Sequence, residues 1–278
     1  MGFVAAWLLN GALAPLALVA AAPSTACTAI PGWDQVMAEE KVRWIVIGEV
    51  HGTTETPAIF ADAVCLPAAE RGSVVIALEM PSRDQRAIDA FMASDGGSAA
   101  RREFYKALIW HMGKDGRSSQ AVFAMFDKLR QMHLGGRVSH VVAFQDVDTR
   151  DPPNVGQGPY DERLAEIVRA AGGLGATVVT LVGSAHARKT EANFGKPFMP
   201  MATHLPTDQT LTLYADGNGG TAWFCNGPTP ANCGPHVVGT AGEPARRGVV
   251  LQPVMDGAYD GLLNLGVVTT ASPPQPTE

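Results

Sequence analysis

Short apolar runs alternate with helical patterns along most of this chain. Four runs rich in β-branched residues, at residues 44–50, 74–78, 138–144 and 176–182, predict strands that are buried on both faces. The segments between these runs place apolar residues at helical spacing, which predicts amphipathic helices. The predicted helices span residues 33–41, 56–69, 84–92, 101–112, 119–133 and 160–171, and a further helix is expected to begin near His186.

This alternation predicts an α/β fold with a mainly parallel central sheet, flanked by helices and joined by right-handed crossovers. The order of elements, with a helical insertion in the middle, also predicts two related β-α-β halves. In the last third of the chain, residues 210–214 and 221–225 flank a Gly-rich turn at 216–220, which is typical of a β-hairpin. Residues 248–253 are a further strand candidate.

The domain organisation that follows is a single α/β domain over residues 27–270. Its C-terminal β-hairpin extension and cysteine loop lie at about 208–255, and residues 271–278 form a Pro-rich tail expected to be disordered. Residues 1–26 are rich in Ala, Leu and Val, carry no charge and end in small residues, which predicts a secretory signal peptide. Since no Lys or Arg precedes the apolar stretch, an uncleaved anchor is the alternative.

The predicted export, to the periplasm or outside the cell, permits disulfides, and the chain has four cysteines. Cys225 and Cys233 flank a short loop, so we expect a local bridge, and Cys27 with Cys65 is a second candidate pair. The sequence does not fix this connectivity. Cys27 also follows Ser-Thr-Ala, which loosely resembles a bacterial lipobox, so the membrane is a partner only through lipidation or an uncleaved N-terminus.

Composition narrows the class of protein further. A chain of 278 residues that is 46% hydrophobic and 17% charged can form a large globular core. Its net charge of −6 and pI near 5.6 give no basic surface for nucleic acid, so we expect a small-molecule or peptide substrate instead.

The predicted strands end in polar side chains, and ligands of open α/β sheets bind outside the carboxyl ends of the strands. The strand ends deliver two histidines and three carboxylates, which suit Zn, Mn, Co or Fe. The predicted metal ligands are His51, His186, Glu49, Glu79 and Asp146. The same groups could instead be a general acid–base set, with a carboxylate orienting a histidine base.

The predicted catalytic residues are His51, His186, Glu79 and Arg117, the last being suited to steady a developing anion. Arg117 could equally serve a turn, and Glu55 could simply complement a helix dipole. The sequence contains no H-E-x-x-H, no G-x-S-x-G, no phosphate-binding G-x-x-x-x-G-K-[ST] and no G-x-G-x-x-G, which argues against the classes of enzyme that use those motifs.

The two G-x-x-H strand ends, Gly48–His51 and Gly183–His186, together with the intervening Glu79, resemble the ChaN-like, erythromycin-esterase-like and TIKI/TraB superfamily. The resemblance covers about residues 44–190 and depends on Gly48-Glu49-Val50-His51-Gly52 with Glu55, on Leu78-Glu79-Met80-Pro81, and on Gly183-Ser184-Ala185-His186-Ala187. It implies an α/β fold with the site between the two halves, centred on His51, Glu79 and His186, with Glu49 as a companion.

The resemblance implies more than one activity. TIKI-like members are metal-dependent peptidases, the erythromycin-esterase branch hydrolyses a lactone with a histidine, and ChaN-like members are exported proteins associated with haem and iron. We therefore predict an exported, metal-dependent hydrolase of an ester or peptide bond. The alternatives are a periplasmic ChaN-like protein that binds haem or iron without catalysis, and a catalytically inactive fold that binds a partner.

Overall fold

The structure, a computed structural model, describes residues 27–112, 116–146, 156–173, 175–227, 232–239 and 247–271. Its helices are α1 (Trp33–Ala38), α2 (Glu55–Glu70), α3 (Gln85–Met92), α4 (Ser98–Phe104), α5 (Ile109–Met112), α6 (Gln120–Leu134) and α7 (Gln157–Ala171). Its strands are β1 (Trp44–Glu49), β2 (Val74–Pro81), β3 (Val138–Gln145), β4 (Val178–Gly183), β5 (Ala192–Asn193), β6 (Pro197–Phe198), β7 (Thr210–Cys225), β8 (Cys233–Val237), β9 (Gly248–Val250) and β10 (Gly261–Val268).

The main sheet has the strand order β3-β2-β4-β1-β7-β10-β9, with β8 paired to β7. Within this sheet, as far as the structure describes it, the pairings among β1, β2, β3, β4, β7 and β10 are parallel, while β8 and β9 pair antiparallel. The short strands β5 and β6 form a separate antiparallel pair. The predicted α/β class and mainly parallel sheet are therefore confirmed. The strand β9 forms a C-terminal antiparallel pair with β10.

Two β-α-β units interleave in this sheet. The first unit is β1-α2-β2 and the second is β3-α7-β4, yet β4 lies between β1 and β2. Helix α2 packs into the core on one face of the sheet, and α7 packs into the core on the other face. The strands β1 and β2 are buried along their whole length, which explains why their sequences are continuously apolar. The interleaving brings the carboxyl ends of β1, β4 and β2 side by side.

The helices inserted between β2 and β3 pack around a group of aromatic rings. Phe91 stacks on Phe104 with ring centroids 4.5 Å apart, and Phe104 meets Phe126 edge to face at 5.0 Å. Such pairs stabilise a core beyond the area that they bury. The buried carboxylate of Asp84 accepts the backbone N–H groups of Leu108 and Ile109 at 2.7 and 2.8 Å. These contacts fix the helices on either side of the loop that contains Arg117.

Several predicted elements differ from the structure. The predicted turn at 216–220 is absent, since β7 runs through it as one strand and uses Gly219 and Gly220 at positive φ. That segment stays extended because β10 pairs with it in parallel through two register shifts. The strand β10 was not predicted, and the strand predicted at 248–253 is only Gly248–Val250.

Two predicted helices are also different. No long helix begins near His186, where a 3-10 turn, Ser184–Ala187, ends after four residues. The helix predicted at 101–112 is divided into α4 and α5, because the N–H groups of Leu108 and Ile109 bond to the Asp84 carboxylate instead of to carbonyls of the preceding turn. The predicted loop at 148–158 lies mainly outside the described residues, and α7 already begins at Gln157.

Both predicted disulfides form. Cys27 bonds to Cys65, and Cys225 bonds to Cys233, which closes the loop between β7 and β8. Disulfides are typical of proteins that fold in an oxidising compartment. In the part of the chain that the structure describes, no helix is both long and apolar enough to cross a bilayer. The predicted signal peptide and residues 272–278 of the tail lie outside that part.

We expect Gly48→Ala to destabilise the protein, because a Cβ there would lie 2.6 Å from the Ala187 Cβ and 3.1 Å from the Ser184 Cα. Overpacking of this kind costs about 1–3 kcal/mol. Urea unfolding should show this loss of free energy of unfolding. Gly234→Ala is the matched control, since no atom lies within 4 Å of its added Cβ. Equal stability of the two variants would contradict the packing of the 3-10 turn against β1.

Candidate active site

The candidate site lies at the carboxyl ends of three adjacent strands. Glu49 ends β1, Glu79 lies near the end of β2, and Gly183 ends β4 between them. The 3-10 turn that follows Gly183 places His186 over the same edge, and His51 follows β1 by two residues. The parallel register therefore converts residues far apart in sequence into neighbours.

Gly183 occupies the centre of this group. A Cβ on Gly183 would lie 3.4 Å from Glu79 Oε2, 3.4 Å from His51 Nε2 and 3.6 Å from His186 Cδ2. The three side chains thus converge on one point above the end of β4. The Gly183 N–H donates to Glu79 Oε2 at 2.7 Å.

Glu79 is a buried carboxylate with a partner on each oxygen. Arg117 Nη1 donates to Oε1 at 2.9 Å, and the Gly183 N–H bonds to Oε2. Burial alone would raise the pKa of Glu79, but the charges of Arg117, His51 and His186 outweigh it, and the pKa is held below its usual value. Glu79 is therefore ionised at neutral pH.

His51 forms a pair with the residue that ends β1. Its Nδ1 is 3.0 Å from Glu49 Oε1, which favours the tautomer with the proton on Nδ1 and leaves Nε2 to face Glu79. Nε2 lies 3.9 Å from Glu79 Oε2, too far for a direct hydrogen bond. Burial and the charge of Arg117 lower the pKa of His51. The hydrogen bond to Glu49 and the charges of Glu49 and Glu79 outweigh them, so the pKa is raised above its ordinary value.

His186 forms the second histidine–carboxylate pair, with a residue that the sequence analysis did not identify. Its Nδ1 is 2.7 Å from Asp161 Oδ1, and Asp161 is fully buried. The Met201 N–H and the Gln157 side chain also donate to Asp161, at 2.7 and 2.8 Å. Burial lowers the pKa of His186, but the Asp161 hydrogen bond and the charge of Glu79 raise it overall.

A sequence signal for Asp161 did exist. The buried face of α7 is formed by Asp161, Leu164, Ala165 and Val168, which have the spacing of an apolar helical stripe. An acid on that stripe must be compensated inside the protein. It therefore indicates a buried partner, here His186.

Tyr160 is the other residue that the sequence analysis missed. Its ring centroid lies 5.9 Å from that of His186. Burial and the nearby Glu79 charge raise the pKa of Tyr160 to about 12. The hydroxyl consequently keeps its proton across the neutral range. It is therefore able to donate a hydrogen bond at neutral pH.

Two other candidate residues contact groups elsewhere. Asp146 Oδ2 lies 3.4 Å from Arg163 Nε on α7. Glu55 accepts hydrogen bonds from the N–H and hydroxyl of Thr269, at 2.9 and 2.8 Å, so it fastens the start of α2 to the chain after β10. That contact agrees with a structural role for Glu55.

The side chains predicted to bind a divalent metal ion are engaged by other groups of the protein. The three carboxylates predicted as ligands each have a hydrogen-bonding partner, namely His51 for Glu49, Arg117 for Glu79 and Arg163 for Asp146. Among the described residues, no group of three or more His, Cys, Asp or Glu side chains is arranged to hold a metal. Each of these carboxylates would have to give up that partner to bind a metal ion.

The arrangement as a whole places two basic imidazoles around one buried carboxylate. Each imidazole is oriented through Nδ1 by its own carboxylate, which is how histidine bases and acids are held in enzymes. Glu79 stabilises positive charge on either ring, and Arg117 limits the negative charge of the group. Such a site can transfer protons to and from a bound substrate.

Comparison with known proteins identifies solved structures that have the same fold. No protein-family model matches the sequence, and a search of curated proteins finds no match. Among solved structures, a succinoglycan biosynthesis protein superposes with a TM-score of 0.67 at 9% identity, over 87% of this chain and 92% of that one. A Bacillus cereus protein gives a TM-score of 0.60 at 10% identity, over 87% and 93%.

An erythromycin esterase, solved as a histidine-to-asparagine variant in its open conformation, gives a TM-score of 0.57 at 11% identity. The match covers 87% of this chain and 95% of the esterase. Nearly the whole described chain therefore shares its fold with a group of structures that includes an erythromycin esterase.

Proposed function

We propose that this protein is an exported hydrolase that cleaves a carboxylic ester or lactone by general acid–base catalysis. The observation that supports it most is the pair of histidine–carboxylate dyads, His51–Glu49 and His186–Asp161, facing Gly183 around Glu79. The resemblance of the sequence motifs to the erythromycin-esterase-like superfamily and the fold shared with an erythromycin esterase support the same class of reaction.

In this proposal His51 is the general base. Its Nε2 takes a proton from water as the water oxygen attacks the carbonyl carbon of the ester. Glu49 and Glu79 raise the pKa of His51 and Arg117 opposes that rise, so the ring is neutral and able to act as a base at pH values above its raised pKa. Glu49 then stabilises the imidazolium that forms.

His186 is the general acid. The fully buried Asp161 favours its protonated form. As the single bond between the acyl carbon and the alkoxy oxygen breaks, His186 Nε2 gives its proton to the leaving alkoxide, so that the products are an acid and an alcohol. The ring of Tyr160 packs near His186, and its hydroxyl, whose pKa is raised to about 12, donates to the developing oxyanion in this proposal.

A metal-dependent route, a peptide substrate and haem or iron binding stay predictions from the sequence. They are distinguished from the proposed reaction by direct measurement. Metal analysis of the purified protein, activity after dialysis against a chelator, and a haem titration followed for a Soret band test them in one preparation.

We expect His51→Gln and His186→Gln to lower kcat/KM by about 10²–10⁴-fold, because each removes one proton-transfer group. The measurement is hydrolysis of a panel of p-nitrophenyl esters and aliphatic lactones, with circular dichroism to confirm folding. His140→Gln, an exposed position on β3, is the control and should leave the rate unchanged. Stoichiometric metal that is lost together with activity in the two variants would overturn the metal-free mechanism.

Asp161→Asn should move the alkaline limb of the kcat/KM profile to lower pH. Asp161 raises the pKa of His186, so its loss lowers that pKa, and the protonated acid disappears at a lower pH. Glu166→Gln removes an exposed acid from the same helix and should leave both limbs in place. A profile that does not move in Asp161→Asn would show that His186 is not the acid.

Tyr160→Phe should lower kcat by about 10²–10³-fold with little change in KM, since an oxyanion donor acts in the transition state. The phenylalanine keeps the ring that packs near His186 and removes only the hydroxyl. Steady-state kinetics on the best ester of the panel separates the two constants. A rise in KM of the same size, with an unchanged kcat, would assign Tyr160 to ground-state binding instead.

A further inference from the structure

Three backbone segments meet beside the candidate site in contacts that only glycine permits. A Cβ on Gly52 would overlap the Trp223 carbonyl oxygen, and a Cβ on Gly116 would overlap the Gly52 Cα. Gly52 and Gly116 have φ of +86° and +88°, a conformation that other residues rarely adopt. The Trp223 N–H also donates to the Gly52 carbonyl at 2.9 Å.

Each segment adjoins a different functional part of the molecule. Gly52 directly follows His51, and Gly116 directly precedes Arg117. Trp223 belongs to the far end of β7, two residues before Cys225. We use the name stapled hairpin for residues 221–225 of β7, the strand β8 that pairs with them, and the Cys225–Cys233 disulfide that joins them.

The stapled hairpin is anchored in the main sheet. The first part of β7 pairs in parallel with β1 up to Tyr214, opposite Gly48. The strand then continues past the carboxyl end of β1, with β10 beside it up to Gly220. The hairpin therefore extends from the sheet over the edge where the histidines lie, and the disulfide holds its two strands together beyond the last β10 contact.

We propose that the stapled hairpin is a positioning element of the active site, which fixes the His51 loop and the Arg117 loop against each other through the backbone of Trp223. This inference rests on the proposed function for its kinetic consequence. Its structural content, that the hairpin sets the distance between Arg117 and His51, can be measured without any substrate.

The pKa of His51 reports how close Arg117 lies to it. His51 faces Glu49 and Glu79, which raise its pKa, and Arg117, which lowers it. Glu49 is on the strand that leads to His51 and Glu79 is in the rigid core of β2, but Arg117 lies on the loop held by Gly116. If that loop moves away, the Arg117 charge recedes and the pKa of His51 rises.

The experiment is an NMR titration of the histidine ring protons in the full chain with Cys225→Ser and Cys233→Ser. The His51 signal is assigned by its absence in His51→Gln. We expect the titration of His51 to move to higher pH, the acid limb of kcat/KM to move with it, and kcat/KM to fall by about tenfold or more, as small displacements of catalytic groups do.

The matched control is Cys27→Ser with Cys65→Ser. That disulfide lies near Arg137, just before β3 begins, at the opposite edge of the sheet from the site. Its loss should lower thermal stability and leave the His51 titration unchanged. An equal shift of His51 in both pairs of variants would overturn the positioning role, since a general loosening of the fold would then explain it.

Gly116→Ala tests the contact itself with the disulfide intact. It should shift His51 in the same direction as the cysteine variants, because the added Cβ pushes the Arg117 loop from Gly52 and Trp223. Gly72→Ala is its control, since Gly72 has the same positive φ of +86° but no atom within 4 Å of an added Cβ. An unchanged His51 titration in Gly116→Ala and in the hairpin cysteine variants would overturn the inference.

The two proposals fail separately. Absence of hydrolysis by the unmodified protein on every ester and lactone would remove the proposed function, while the His51 titration would still decide whether the hairpin positions the Arg117 loop. Hydrolysis that persists at full rate in the hairpin variants, with His51 unshifted, would remove only the positioning role.

Discussion

The buried charge of Glu79 is the constraint on which the rest of the site depends. A carboxylate this far from solvent is ionised only if its protein partners replace water, and two do so at once: the Arg117 guanidinium and the Gly183 N–H. The first partner comes from a loop of the helical insertion and the second from the end of β4. Compensation of one charge thus requires the insertion, β2 and β4 to be in place together.

The interleaved strand order places the buried charge of Glu79 near both histidines. Because β4 lies between β1 and β2, a histidine after β1 and a histidine after β4 both lie within reach of an acid on β2. The negative charge of Glu79 then contributes to the raised pKa of both rings. Each ring also has a carboxylate of its own, so the site contains two oriented imidazoles that differ in their neighbours. This difference in neighbouring groups is the basis for proposing His51 as the base and His186 as the acid.

The C-terminal third of the chain completes this arrangement from outside the two β-α-β units. Strand β7 joins the sheet beside β1, and its far end, closed by a disulfide, meets the backbone next to His51 and next to Arg117. The loops of an active site on an open sheet would otherwise be mobile, because loops lack the packing of the elements that they connect. Here the backbones of three segments touch, with glycine at two of the contacts.

The sequence by itself determined four buried strands and the parallel α/β class, because continuous apolar runs are local signals. It offered both disulfide pairs as candidates, and the structure decided that they form. It also indicated that His51, Glu79 and His186 follow strands and so share one edge. Only the tertiary structure decided that β4 lies between β1 and β2, that Asp161 is the partner of His186, and that β7 does not turn at residues 216–220. Those outcomes depend on pairings between distant segments: a Gly-rich stretch is equally suited to a turn or an irregular strand until β10 pairs with it, and a helical acid has no partner until the sheet brings one.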